Sequence, residues 1–194
     1  MTATIRRADA GDIPYLAHVF MEAWGGLCEA LYEDVIPNRP TNQIIEHLLS
    51  RGNATTCVKN CWVAELEDKI AGGVHTFPAD DEADDPPDPL VPKERLGILE
   101  PFFRLHVEGS YYIASLTVFP EFRGRGLGRL LMAEVEADAR VRKFGQASLT
   151  VFAENKGALT LYEDLGYREI ARQPAVPHPR LIYDGDIVAM TKEL

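Results

Sequence analysis

Residues 118–132 read VFPEFRGRGLGRLLM. Gly124, Gly126 and Gly128 alternate in its middle, between the apolar run ASLTVF (114–119) and a helical pattern that starts at Leu127. A helix N-terminus leaves backbone N–H groups unpaired and carries partial positive charge. Glycine lets an anion approach that backbone with no Cβ in the way. Strand, glycine turn and helix thus make a cradle for a pyrophosphate, and Arg123, Arg125 and Arg129 add charge to it. On the glycines alone, a turn ahead of a purely structural helix remains an equal alternative. Two other nucleotide cradles are excluded. GxGxxG needs a glycine where Arg129 stands, and GxxxxGK[ST] is absent.

Working outward, the chain reads as alternating strands and helices. Strands are expected at 4–8, 61–66, 69–77, 111–119, 147–152, 167–172 and 180–194, with Glu67-Asp68 as a hairpin turn. Helices are expected at 12–24, at 41–51 behind a Thr41 cap, at 127–143, and at 156–164 before Gly166. Strand, helix and strand around 111–152 imply a parallel pair with a crossover helix. The hairpins imply antiparallel strands elsewhere.

At 194 residues, with 46% hydrophobic and 26% charged residues, the chain has the composition of one globular domain with a sizeable core. A net charge of −10 argues against a nucleic-acid partner. No apolar stretch has the length of a membrane span, and the N-terminus lacks a signal-peptide core. Three cysteines, Cys28, Cys57 and Cys61, fit a reducing cytoplasm. Cys57 and Cys61 lack metal-ligand spacing, so no metal is expected. Set on one strand they would stand about 13 Å apart, too far for a disulfide.

The segment ADDEADDPPDP (79–89) holds six acidic residues and no base, so 78–109 reads as an insertion between two strands. Residues 93–105, KERLGILEPFFRL, read as a helix interrupted by Pro101. The acidic run has two open readings: a solvated loop, or an electrostatic guide for a cationic partner.

The run Leu116-Thr-Val118-Phe-Pro120-Glu-Phe-Arg123-Gly-Arg-Gly126-Leu-Gly128 resembles the acetyl-CoA site of the GNAT superfamily of N-acetyltransferases. Downstream, Asn155, Ala158 and LYEDLGY (161–167) resemble that family's second motif. The resemblance implies an α/β (α+β) GNAT-like fold over 1–194. Its centre would be a mixed, mostly antiparallel sheet of about seven strands with a splayed parallel pair, flanked by about four helices. It implies acetyl-CoA as cosubstrate and an amine as acceptor, which the acidic run would suit if cationic. Leu116, Thr117 and Val118 would pair with the pantetheine arm, and the Val118 amide would polarise the thioester carbonyl. Arg123, Gly124, Arg125, Gly126, Leu127, Gly128 and Arg129 would hold the pyrophosphate. Asn155 would bond the arm, and Tyr162 would protonate the departing thiolate. Seven residues span nearly two helical turns, so Asn155 and Tyr162 share a face.

The base departs from the family pattern. The usual glutamate positions read Ala114-Ser115 on the central strand and Leu149-Thr150-Val151 on the next. Glu22, His75 and His106 are the candidates that remain, while Ser115 or Thr150 could only orient a water. No cysteine lies in the motifs, so direct attack in a ternary complex is expected rather than an acetyl-enzyme. A CoA-binding sensor or interaction module without catalysis is the rival reading. A larger acyl donor, a non-amine acceptor and a homodimeric assembly stay open.

Overall fold

The computed structural model describes residues 3–52, 54–85 and 88–194. Seven strands form one sheet: β1 (Thr4–Arg7), β2 (Cys61–Leu66), β3 (Lys69–Pro78), β4 (Tyr111–Val118), β5 (Gln146–Phe152), β6 (Arg168–Pro174) and β7 (Asp186–Glu193). Their order is β1-β2-β3-β4-β5-β7-β6, antiparallel except for β4 and β5. Among the described residues four helices have nine or more residues: α1 (Ile13–Ala23), α3 (Thr41–Ser50), α6 (Leu127–Val141) and α7 (Lys156–Asp164). Three are short: α2 (Leu27–Tyr32), α4 (Asp81–Asp84) and α5 (Glu100–Arg104).

Strand β2 shows how the core divides. Side chains alternate across a strand. Cys61 and Val63 join a cluster with Leu16 and Phe20 of α1 and Ile44 of α3. Trp62 and Ala64 join Leu131, Met132 and Val135 of α6. Helices α1 and α6 therefore cover opposite faces of the sheet. The β2–β3 turn has both Glu67 and Asp68 at positive φ, the two-residue hairpin geometry that matches strand twist.

Several boundaries differ from expectation. Thr41 is the first residue of α3 and provides no side-chain cap; Pro40 precedes it in extended backbone. Helix α6 stops at Val141 because Lys143 turns left-handed, two residues ahead of Gly145. Residues 180–185 are not strand: Ile182 N–H donates to the Gly25 carbonyl (2.8 Å), tying the segment to the α1–α2 corner. Helix α2, absent from the sequence reading, follows Gly25 and Gly26, both at positive φ. Cys57 and Cys61 do not share a strand; the Cys61 thiol donates to the Cys57 carbonyl at 3.5 Å, and all three cysteines are free and buried.

Between β3 and β4 the chain forms α4, a 3-10 segment (Lys93–Leu99) and α5, with Pro101 in the first turn of α5. Val91 and Ile98 enter the α1–α3 cluster, so this segment contributes to the core. Three of its carboxylates are held by partners. Asp85 accepts from Thr55 N–H and Oγ1 (both 2.7 Å), Asp88 pairs with Arg51 (3.0 Å), and Asp80 accepts from Gly109 N–H (3.0 Å). Pro86 and Pro87 lie outside the described residues.

Candidate active site

Strands β4 and β5 pair over three residues only, Tyr111–Ile113 against Ala147–Leu149. Beyond that point they part, and the cause is visible in β4. His75 pairs with Ser115 and Thr76 with Ile113, so Ala114 is an extra residue, a β-bulge that bends the strand. The bulge also reverses which side chains face which layer. Tyr111 and Ile113 belong to the α6 cluster, as do Leu116 and Val118. Ser115 accepts from Trp24 Nε1 (2.7 Å), and Thr117 Oγ1 donates to the Val19 carbonyl (3.3 Å), both on the α1 side.

A cavity of about 890 Å³ runs through the opening, within the size range of small-molecule sites. On the α6 face it is lined by Gly124, Gly126, Gly128, Arg129, Asn155 and Tyr162. On the other face it meets Trp24, Leu31, Arg51, Phe77, Glu82 and Phe103. It passes through the sheet.

The glycine turn has the geometry an anion cradle needs. Gly124 and Gly126 have φ of +75° and +78°, and a Cβ on either would meet no protein atom within 4 Å. Gly126 is the N-cap of α6 and no side chain caps that terminus, which leaves the first-turn N–H groups free for a ligand. Gly128 has a packing duty besides: its Cβ would stand 3.3 Å from Leu161 of α7. Leu116, Thr117, Val118 and Arg123 also line the cavity. Phe119 N–H pairs with Ala71 of β3, so by strand alternation the Val118 N–H turns to the opposite edge, toward the opening.

The arginines divide. Arg123 Nε donates to the Val118 carbonyl (2.9 Å) and its Nη2 to Glu22 (3.1 Å). Arg129 pairs with Asp164 (2.5 Å). Arg125 lies over Phe122 at 5.9 Å and does not line the cavity. Leu127 is buried against Leu66 and Ala71, so only its backbone could meet a ligand.

Asn155 caps α7: its side-chain oxygen accepts from Ala158 N–H (3.2 Å), leaving the amide NH₂ for a second partner. Tyr162 is 7% exposed, packs edge-on to Tyr167, and burial alone pushes its phenol up. It stays protonated through the neutral range. Tyr112, which the sequence reading passed over, is held by Thr150 (Oη to Oγ1, 2.7 Å).

The base candidates fare unequally. Glu22 lines the cavity, paired with Arg123. His75 is fully enclosed, and burial lowers its pKa to about 4. Its Nε2 faces the Thr55 carbonyl at 2.9 Å, which requires the proton on Nε2; Nδ1 is buried without a partner. His106 lies outside the cavity lining, with Asp80 and Glu82 each at 3.7 Å. The hydroxyls of Ser115 and Thr150 are already engaged by Trp24 and Tyr112. Glu82 was legible only as one of six acids; it faces the cavity because α4 follows directly on β3. Among the described residues no group of three or more His, Cys, Asp or Glu could hold a metal ion. No described helix is long and apolar enough to cross a membrane.

The chain is similar to known proteins in sequence and in fold. The model of the Acetyltransferase (GNAT) family matches residues 24–167. YdgE of Bacillus subtilis, described as an uncharacterized N-acetyltransferase, is 35% identical over 63 residues, 32% of this chain and 40% of its own length. The chain likewise spans under half the length of the other curated relatives it matches. An N-acetyltransferase structure from Staphylococcus aureus superposes with a TM-score of 0.72 at 19% identity, over 97% of this chain and 100% of that one. YncA of Salmonella typhimurium, solved with its cofactor acetyl-CoA, superposes with a TM-score of 0.58 at 19% identity, over 100% and 95%.

Proposed function

The chain belongs to the GNAT acetyltransferase family, and on that premise we propose that it transfers an acetyl group from acetyl-CoA to a primary amine. The observation that carries the reading is the cavity through the split sheet, with the glycine cradle on one face and a carboxylate-bearing, aromatic-walled mouth on the other. The pyrophosphate rests on the backbone of 124–129, with Arg129 beside it. The pantetheine arm lies along Leu116–Val118, and the Asn155 amide donates to it. The thioester carbonyl accepts from the Val118 N–H as the amine attacks. The C–S bond then breaks, and the thiolate takes the Tyr162 proton.

The acceptor is a cationic amine with an apolar portion, since Leu31, Phe77 and Phe103 share that mouth with Glu82, Asp85 and Asp88. One domain carries both substrates, with 78–109 as the wall of the acceptor side. Free, buried thiols favour the cytoplasm.

The test is release of free thiol from acetyl-CoA across a panel of peptides, polyamines, aminosugars and aralkyl amines, with CoA binding followed by calorimetry. Amine-dependent release is the expected result. Tight CoA binding without amine-dependent release would favour the second reading, a CoA-binding module, which the hydroxyls at Ser115 and Thr150 support by standing where the family resemblance leads one to expect a glutamate.

A further inference from the structure

An alkyl ammonium has a pKa near about 10 and no lone pair, so it must lose a proton before it can attack. Among the described residues four carboxylates line the cavity: Glu22, Glu82, Asp85 and Asp88. Three have structural partners. Glu22 meets Arg123, Asp85 takes two hydrogen bonds from Thr55, and Asp88 takes Leu90 N–H and pairs with Arg51. The Glu82 carboxylate makes no hydrogen bond to a described residue; His106 Nδ1 stands 3.7 Å from its Oε2, beyond bonding distance.

Its place suits proton transfer. Phe77, four residues before α4, pairs with Tyr112 in register, and their rings meet edge-on at 5.5 Å. Glu82, Tyr112 and Tyr162 line the same cavity, so carboxylate and general acid open on one space. We propose that Glu82 is the general base of the acetyl transfer, held by the insertion rather than by the sheet. The inference rests on the acetyl-transfer reading above.

The charges around it fit the task. Burial pushes the Glu82 carboxyl above the usual carboxylate range; His106 opposes that shift and Asp85 adds to it. Tyr112 lines the same cavity from β4 as a neutral phenol, and His106 stands 3.7 Å from Asp80 as it does from Glu82. A half-buried carboxylate with a raised pKa is a better proton acceptor than an exposed one.

The chemistry balances. Glu82 takes one proton from the ammonium, and the freed nitrogen lone pair forms the N–C bond. The C–S bond breaks, and Tyr162 protonates the sulfur. The nitrogen releases its remaining extra proton, which restores the phenol through water. Glu82, part exposed, passes its proton to solvent. One proton is released per acetyl group transferred.

The test uses the whole chain with the best amine of the panel. Glu82→Gln should lower kcat at pH 7 by roughly 10²-fold or more while leaving CoA affinity unchanged. The acid limb of the parent's kcat/KM profile should vanish, and the variant's rate should climb as pH nears the amine's own pKa. Glu82→Asp should recover part of the rate. His106→Gln removes a partner that holds the carboxyl down, so it should move the acid limb to higher pH. An active parent and an equally active Glu82→Gln variant with the same acid limb would overturn the base and spare the transfer. A parent that binds CoA and acetylates no amine would overturn both.

Discussion

The Tyr112 phenol and the Thr150 hydroxyl bridge β4 and β5 at 2.7 Å, one residue past Leu149, the last position of β5 paired with β4. The bond closes the vertex of the opening. Thr150→Val keeps the shape and strands a buried phenol, which costs about 1–3 kcal/mol. Melting should fall by several degrees. Adding Tyr112→Phe should cost less than the sum of the single changes, because the orphaned group is then gone. Strict additivity in a double-mutant cycle would show that the pair carries no coupling.

Gly126→Ala separates ligand from fold. The new Cβ meets no protein atom within 4 Å, so the folded chain bears only the left-handed backbone, about 1–2 kcal/mol. The same Cβ stands in the space given to the pyrophosphate. CoA affinity by calorimetry should drop at least roughly tenfold, more than backbone strain explains in a protein that remains folded. Unaltered affinity would remove the cradle.

Tyr162→Phe keeps the ring against Tyr167 and deletes one proton. Turnover should fall by roughly 10²-fold with CoA affinity unchanged. Burial raises the phenol's pKa, so the parent should show no alkaline limb from Tyr162 near neutrality. Full turnover in the variant would assign the proton to water.

His75 links stability to pH. Its pKa falls from 6.5 to about 4 on folding because burial resists the charge. Below pH 6.5 the unfolded chain takes a proton that the folded chain refuses, so stability is complete above 6.5 and is lost as pH falls through 4. The shift corresponds to about 3 kcal/mol. His75→Gln should flatten that part of the curve in denaturant titrations at pH 7 and 4.5; equal pH slopes in both proteins would clear His75 of the effect.

What could be read from the sequence was local. The glycine turn, the Glu67-Asp68 hairpin and the helical faces are set by neighbours within a few residues, and each stands where its pattern placed it. The bulge at Ala114 carries no glycine or proline to announce it, and it alone decides which β4 side chains face which layer. Helix α2 is six residues long, too short for a periodic signal. Residues 180–185 alternate like a strand but find their partner at Gly25. The acidic run looks like a solvated loop until Thr55 and Arg51, 30 and 37 residues earlier, draw Asp85 and Asp88 inward. Glu82 could be counted but not distinguished from its five neighbours, because its role depends on which acids find other partners.

A passage with a mouth on each face of one sheet has a kinetic meaning. For the proposed transfer, donor and acceptor would not queue behind each other: each would have its own side of the sheet, and either could dissociate while the other stays. Initial-rate lines should intersect instead of running parallel. An inhibitor shaped for the Phe77–Phe103 mouth should compete with the amine and leave the apparent affinity for acetyl-CoA nearly untouched. Two unrelated inhibitors, one for each mouth, should be able to occupy a single molecule at once.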